Sequence, residues 1–330
     1  MLLPAGIGSR QSIDDSAAKT HPPLRRPSLF YGNMIFYCKS QTIRGRKQGG
    51  LMKKRKRWRN ALMFLLFCVI ILLSPAGAPI RSYAVMAPYS YLYYRDNVLS
   101  RNHIRFVIPG GIKTRKPDWY PFVITFSDDE GLSGYLGEQV EFTILYAFGH
   151  FSMRKGTSSY YDPGSDYYSS FYGGYVVKPR DKERKFGFLP DGKVNPEELS
   201  KVPEYDQKVL VLSSLGCPQE KRVFREEISS VQYHVEYAGY PDWVRIDSGI
   251  ETNSPVHEYK GFRQGYLQYG KPMGRFQYHE DFPVIPLKGR VYVRYFEEFQ
   301  ATIVLYNMAP SWETVDECDR EILSETSIGS

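Results

Sequence analysis

Residues 140–148 read VEFTILYAF, and residues 231–237 read VQYHVEY. In both stretches the larger apolar side chains recur at every second residue, with polar residues such as Glu141 and His234 between them. A period of two places alternate side chains on opposite faces of an extended strand. One polar and one apolar face is typical of antiparallel sheets, because buried parallel strands are apolar throughout. The two stretches therefore predict an antiparallel sheet.

Other stretches repeat the strand pattern, and three favour helices. The further predicted strands are residues 104–108, 121–127, 174–178, 208–213, 244–247, 290–296 and 299–308. A short helix is expected after the capping residue Asn195, with Pro196 at its first position. Two more helices are expected over residues 218–229 and 311–325. The predicted fold class is α+β, a mainly antiparallel, sandwich-like β-sheet with a few helices, including a C-terminal helix.

The amino-terminal region has the pattern of an export signal. Residues 53–59 read KKRKRWR, and residues 61–73 read ALMFLLFCVIILL without a charge. These thirteen residues suit the core of a signal peptide, whereas a membrane-spanning helix needs about 20. Cleavage is expected after Ala78 or after Ala84. The alternative is an uncleaved signal anchor, in which residues 61–80 hold the protein in the membrane.

The first 51 residues show neither a helical nor a strand period. Two interpretations are open: a disordered cytoplasmic tail, or a mis-assigned start with Met52 as the true initiator. Codons for residues 48–51 can spell a bacterial ribosome-binding site, which favours the second. The predicted divisions are residues 1–51, a signal peptide or signal anchor over residues 52–84, and an exported globular β-rich domain over residues 85–330.

Charge is distributed unevenly along the chain. The whole chain carries a net charge of +7, but residues 1–84 hold fifteen Lys/Arg and only two Asp/Glu. Residues 85–330 therefore contain 28 basic and 34 acidic residues. A mildly acidic domain lacks the basic surface that binds phosphate backbones. Nucleic acid is not an expected partner of this domain.

The exported domain retains two cysteines, Cys217 and Cys318. In an oxidising compartment, two cysteines most simply form one disulfide. A Cys217–Cys318 bridge would close a loop of about a hundred residues and add about 2–4 kcal/mol. The alternative is a pair of separate buried thiols.

Residues 156–175 read GTSSYYDPGSDYYSSFYGGY and contain almost no aliphatic side chain. Such a stretch is expected to form a long exposed loop or strand edges. A tyrosine ring with its hydroxyl can stack on a sugar or contact a protein. The candidate binding surface consists of Tyr160, Tyr161, Tyr167, Tyr168 and Tyr172. The alternative is that these rings pack on the domain's own sheet.

No catalytic, cofactor or metal motif is found in the exported domain. Residues 128–130, Asp162 and Asp166 could supply only part of a calcium site, and His234 lacks a paired ligand. The expected function is that of a bacterial envelope or surface protein outside the cytoplasm, a non-enzymatic binding or structural domain without a cofactor. Its expected partner is cell-wall glycan or an envelope protein, and also the membrane if the signal is uncleaved. The alternative is a secreted hydrolase with scattered catalytic residues.

Overall fold

The computed structural model describes residues 49–73, 97–109, 124–148, 151–152, 157–214, 217–254 and 282–329, together with residues 91 and 95. Its strands are β1 (Arg105–Val107), β2 (Ile124–Ser127), β3 (Val140–Phe148), β4 (Phe151–Ser152), β5 (Thr157–Ser158), β6 (Phe171–Pro179), β7 (Phe224–Tyr237), β8 (Tyr240–Asn253), β9 (Val284–Phe296), β10 (Ala301–Ala309) and β11 (Ser327–Gly329). Seven of them form an antiparallel sheet in the order β2-β3-β6-β10-β9-β8-β7. Strand β1 pairs with β11, and β4 pairs with β5.

Helices flank the strands along the chain. They are α1 (Gly49–Leu73), α2 (Val98–Arg101), α3 (Asp129–Leu136), α4 (Pro196–Tyr205) and α5 (Trp312–Glu321). Helix α4 continues into a π-helical turn, Asp206–Val211, and a short turn, Leu212–Ser214; 3-10 turns occupy Ser159–Tyr161, Gln219–Lys221 and Leu323–Glu325. The predicted caps of α4 and α5 are confirmed, since the side chains of Asn195 and Ser311 accept hydrogen bonds from the third backbone nitrogen of each helix.

The large sheet separates two hydrophobic cores. Along β6, Phe171 and Tyr175 face one core, whereas Tyr172 and Val176 face the other. We call these sides the α4 face and the α5 face, after the helices that pack there. Strand β10 is buried along its whole length, because both of its sides are covered.

The α5 face explains the sandwich-like character of the fold. Phe106 of β1 and Ile328 of β11 share a core with Ile303 of β10, so the two-stranded sheet packs against the large one. Helices α2 and α5 add their buried residues to the same core. The predicted class is confirmed: an α+β fold, mainly antiparallel, with a C-terminal helix.

Two adjacent glycines in β6 allow aromatic side chains of other elements to approach the β6 backbone closely, one on each face of the sheet. Gly173 lies opposite Tyr306 in the strand register. A Cβ atom there would collide with the carbonyl oxygen of Leu145 and lie 2.8 Å from the Tyr306 hydroxyl oxygen. A Cβ atom on Gly174 would lie 2.5 Å from Cζ of Phe106. Large aromatic rings therefore occupy the space that side chains on β6 would need.

Two predicted elements are wrong. Residues 208–213, predicted as a strand, belong to the π-helical turn and the helical turn that follows it. A short apolar run fits a buried helix as well as a strand, and periodicity alone does not separate them. Residues 218–229, predicted as a helix, form a 3-10 turn and the beginning of β7. Phe224 is buried and Arg225 is exposed, which is the alternation of a strand.

Helix α1 contains both parts of the predicted export signal. It begins at Gly49 and ends at Leu73, and its apolar side chains are largely exposed. Of the helices in the described part of the chain, none is both long and apolar enough to cross a membrane. Both predicted cleavage positions and residues 74–80 of the alternative anchor lie outside the described residues, as do residues 1–48.

The predicted Cys217–Cys318 disulfide is wrong, because both cysteines are free and buried. Cys217 belongs to the core on the α4 face, and Cys318 belongs to the core on the α5 face. The sheet lies between these two cores, so the sulfur atoms have no route to each other. Burial raises the pKa of both thiols, which keeps them protonated and unreactive.

A buried charged cluster joins α5 to the sheet. Arg290 of β9 donates from Nε to Asp247 Oδ1 at 2.7 Å, and from Nη1 to Asp316 Oδ1 at 2.6 Å and Asp319 Oδ2 at 3.1 Å. Arg245 also donates to Asp247. Burial opposes ionisation of Asp247, but its hydrogen bonds to the two arginines outweigh this effect and lower its pKa.

Candidate functional site

A cavity lies between α4 and the α4 face of the large sheet. The space in it that the centre of a water-sized molecule can reach is about 40 Å³. Strands β6 to β10, helix α4 and the π-helical turn all contribute to its wall. Its surface is mainly apolar and includes Phe171, Leu199, Val202, Ile246, Val291 and Val304.

Helix α4 is held over the sheet by its own polar side chains. The buried Glu198 carboxylate accepts a hydrogen bond from the Gly187 nitrogen at 2.9 Å and pairs with Arg184. At the other end of the helix, the Tyr205 hydroxyl donates to Asp128, the residue that caps α3. These contacts fix both ends of α4, so the roof of the cavity has a defined position.

The π-helical turn contributes one polar residue, Gln207, to the wall of the cavity. Pro203 has no backbone N–H, so α4 lacks the hydrogen bond that this residue would otherwise donate to the carbonyl of Leu199. The chain then changes to π-helical winding at Asp206. Asp206 and Gln207 are both buried there, and Gln207 lines the cavity. Such π-helical segments are frequent at functional sites.

Three residues with polar groups, Tyr175, Tyr306 and Gln207, belong to the otherwise apolar lining of the cavity. The rings of Tyr175 and Tyr306 stack with centroids 4.3 Å apart, and the Tyr175 hydroxyl donates to Asp206 Oδ2 at 3.2 Å. The Tyr306 hydroxyl lies beside that of Tyr175, but no hydrogen bond of acceptable geometry joins it to any described residue. Gln207 Nε2 also has no partner within the described residues.

Both of these unpartnered groups are deeply buried. Gln207 is 2% exposed and Tyr306 is 5% exposed. Burial and the nearby Asp206 carboxylate raise the pKa of Tyr306 well above its usual value, so its hydroxyl keeps its proton. Two residues of the lining, Gln207 and Tyr306, therefore each have a buried donor group, an amide and a phenol, without a partner among the described residues.

The lining of the cavity also includes one charged residue, Glu226. Glu226 of β7 is half-buried and accepts hydrogen bonds from Ser200 Oγ at 2.6 Å and Ser248 Oγ at 2.8 Å. Both carboxylate oxygens therefore have partners. Among the described residues that line the cavity, Glu226 is the one charged side chain, and none is histidine, cysteine or lysine. This lining suits binding of an apolar molecule better than acid–base chemistry.

The tyrosine surface predicted from the sequence does not form as one exposed patch. Tyr160 is buried on the α4 face, with its ring against Phe171 at a centroid distance of 6.4 Å. Tyr172 is buried on the α5 face and donates to the Pro109 carbonyl at 2.8 Å. The expectation that residues 156–175 lie at the surface is therefore wrong for these positions, because Tyr172 belongs to the central strand β6 and Tyr160 lies in a 3-10 turn whose ring contact is with β6.

The remaining tyrosines of that stretch are half-buried or outside the description. The Tyr167 hydroxyl donates to Glu317 Oε2 at 3.0 Å, which connects the stretch to α5. The Tyr168 hydroxyl accepts a hydrogen bond from Ser254. The side chain of Tyr161 lies outside the described residues. A contribution of Tyr167 or Tyr168 to glycan or protein binding stays a prediction.

The acidic candidates for a calcium site have structural roles. Asp128 caps α3, and the side chain of Asp129 accepts from the backbone nitrogen of Phe142 at 2.7 Å. Asp162 accepts from the backbone nitrogen of Gly164 within a turn. Within the described residues, no group of three or more His, Cys, Asp or Glu side chains is placed to hold a metal ion.

No known protein family, curated protein or solved structure matches this chain. The geometry of the cavity is therefore the basis for the functional argument. Its two distinctive residues, Gln207 and Tyr306, were not recognised in the sequence. Tyr306 stands in a predicted strand like any other aromatic residue, and Gln207 carries no local pattern at all.

Proposed function

We propose that residues 85–330 form a non-enzymatic domain of the bacterial envelope or surface that binds a small, mainly apolar ligand. The ligand occupies the cavity between α4 and the large sheet. One observation carries the proposal: an apolar cavity is lined by Gln207 and Tyr306, which each have a buried polar atom, Nε2 and Oη, without a partner among the described residues.

The energetic cost of this arrangement supports a bound ligand. Protein interiors are normally packed as densely as organic crystals, and large voids are rare. The cavity here leaves about 40 Å³ of space that the centre of a water-sized molecule can reach. Each buried polar atom without a partner costs about 1–3 kcal/mol. A ligand that fills the space and accepts these hydrogen bonds offsets both costs.

Export is supported by the amino-terminal sequence. The basic run and the apolar run lie consecutively on α1, in the order required of a signal peptide or signal anchor. The binding domain is accordingly placed outside the cytoplasm. Cell-wall glycan or an envelope protein remains the proposed macromolecular partner, with Tyr167 and Tyr168 as candidate contacts.

The secreted-hydrolase alternative has no supporting observation of its own. Ser200 and Glu226, which both line the cavity, are hydrogen-bonded to each other. The described lining places no histidine beside that serine. A serine nucleophile usually needs an adjacent base that is itself oriented by a third group.

Binding can be tested with N-phenyl-1-naphthylamine, a neutral dye that fluoresces in apolar surroundings. The full-length chain is compared with Val291→Phe, which places a ring inside the cavity, and with Val284→Phe on the same strand. Val291 lines the cavity, whereas Val284 is 46% exposed. We expect saturable dye fluorescence in the wild type and in Val284→Phe, and its loss in Val291→Phe.

The two matched variants distinguish dye binding in the cavity from dye binding to other apolar surfaces of the chain. Dye that binds to exposed residues of α1 responds equally in both variants, so their difference reports the cavity. Thermal unfolding of each variant shows whether the fold is retained. Equal dye binding by two folded variants would contradict a ligand site between α4 and the sheet.

A further inference from the structure

A lysine, an asparagine and a glutamate meet on the α5 face of the large sheet. Lys178 of β6 donates from Nζ to Asn102 Oδ1 at 2.5 Å and to the Phe299 carbonyl at 3.0 Å. The Asn102 amide nitrogen donates to Glu141 Oε2 at 3.4 Å and to the Val98 carbonyl at 2.8 Å. The Asn102 amide therefore lies between an amine and a carboxylate.

Three separate elements hold these side chains together. Glu141 of β3 and Lys178 of β6 are direct partners in the strand register. Lys178 points to the α5 face, because the preceding residue, Val177, packs in the core on the α4 face. Asn102 follows α2 directly, and the buried apolar residues of that helix belong to the core on the α5 face. All three side chains are half-buried, so the fold limits their motion.

The contact brings an amine close to an amide carbon. The C=O bond of an amide is about 1.2 Å long, so Asn102 Cγ lies within about 3.7 Å of the Lys178 nitrogen. Reacting groups held at nearly this separation react far faster than the same groups in free solution. Burial and the charge of Lys182 lower the pKa of Lys178 and outweigh the opposing charge of Glu141. The share of neutral, nucleophilic amine rises accordingly.

We propose that Lys178 and Asn102 form an intramolecular isopeptide bond once the chain has folded, with Glu141 as the proton carrier. The Lys178 nitrogen bonds to Asn102 Cγ, and the bond from Cγ to Nδ2 breaks. Glu141 accepts a proton from the attacking nitrogen and delivers it to Nδ2, which leaves as ammonia. One amide replaces another, so the reaction needs no oxidant, reductant or cofactor.

The surroundings of Glu141 suit this role. Arg101 Nε donates to Glu141 Oε2 at 3.2 Å, and this contact keeps the carboxylate beside the Asn102 amide nitrogen. The new bond joins residues that are 76 positions apart and fastens α2 to a central strand. It is independent of the ligand cavity, which lies on the α4 face.

Mass spectrometry of a tryptic digest of the folded, full-length chain tests the bond. Trypsin leaves Asn102 in the peptide 102–105 and Lys178 in the peptide 156–180, because it does not cleave between Lys178 and Pro179. We expect one branched peptide, whose mass is that of the two peptides less one ammonia, about 17 Da. Two separate peptides at their full masses would overturn the proposal.

Matched variants assign the reacting groups. Lys178→Arg keeps the positive charge but loses the amine, so no branched peptide should form; Lys182→Arg, on the turn after β6, should give it in full. Glu141→Gln should be largely unlinked at purification, since general acid–base catalysis contributes about 10²–10⁴-fold to a rate. Thermal unfolding checks that each variant folds, and the wild-type digest decides the bond without them. Complete linkage in Glu141→Gln would overturn the role of the carboxylate, and linkage in Lys178→Arg would overturn the assignment of the amine.

Discussion

Tyr306→Phe removes one buried oxygen atom and leaves the packing around it nearly intact. The phenylalanine ring keeps the stack on Tyr175 and the edge contact with Phe171, whose ring centroid is 5.7 Å away. The oxygen has no hydrogen-bond partner among the described residues, so its removal relieves a desolvation cost of about 1–3 kcal/mol. Because the ring loses some van der Waals contacts, we expect a net gain of about 1 kcal/mol in the free energy of unfolding.

Urea unfolding of the full-length chain without added ligand measures this change. The midpoint should rise at an unchanged m-value, and the melting temperature should rise by about 2–4 °C. Tyr175→Phe is the matched control, because its hydroxyl donates to the buried Asp206 at 3.2 Å. That variant should lose about 1–3 kcal/mol. Equal destabilisation by the two substitutions would refute the reasoning, since the Tyr306 hydroxyl would then have a partner in the fold.

Three further predictions concern the charged cluster and the cysteines. Arg290→Met should lose about 3–5 kcal/mol in urea unfolding, because Asp319, whose side chain is 13% exposed, loses its cationic partner and Asp247 keeps only Arg245. Arg225→Met, which removes an exposed ion pair, should lose at most about 1 kcal/mol. The pKa of Asp247 is lowered in the fold, so its stabilising contribution is complete above the unfolded-state pKa of about 3.9 and disappears as the pH falls through the folded-state value. Asp247→Asn should therefore flatten the acid limb of a plot of unfolding free energy against pH, and an unchanged limb would argue against this linkage. Cys217 and Cys318 should be alkylated only after denaturation, as mass spectrometry of non-reduced digests can show, and a linked peptide pair would contradict the separate cores.

Much of the sheet could be predicted because its strands alternate. The stretch 140–148 is β3 from its first to its last residue. The caps at Asn195 and Ser311 were equally visible, since a capping side chain acts on a backbone nitrogen only three residues away. Local physics determines these features, and a local pattern reveals them.

The tyrosine-rich stretch shows where local pattern fails. Its Tyr and Gly residues suggested a surface loop, yet Phe171 to Tyr175 form part of a strand that is covered on both sides. The glycines are required there because rings from other elements cross β6. The composition of the stretch does not reveal that glycine is required there, because the residues that contribute these rings are distant in sequence.

The cavity and the separation of the two cysteines also could not be predicted from local sequence, because both depend on the topology of the fold. Gln207 and Tyr306 are about a hundred residues apart and line one cavity only when α4 packs on the sheet. Cys217 and Cys318 are separated only once the strand order is known. Neither relation leaves a trace in the residues immediately around these positions.

The glycine pair of β6 also solves an alignment problem at the centre of the sheet. Strand β10 is buried on both sides, so hydrophobicity distinguishes its two faces less sharply than in a half-exposed strand. A shift of one residue against β6 would turn the Tyr306 ring to the side where Phe106 already fills the space above Gly174. The missing side chain of Gly173 accepts that ring on the correct side. The two glycines, which have no side chain, therefore fix the register of β10 against β6 by steric exclusion.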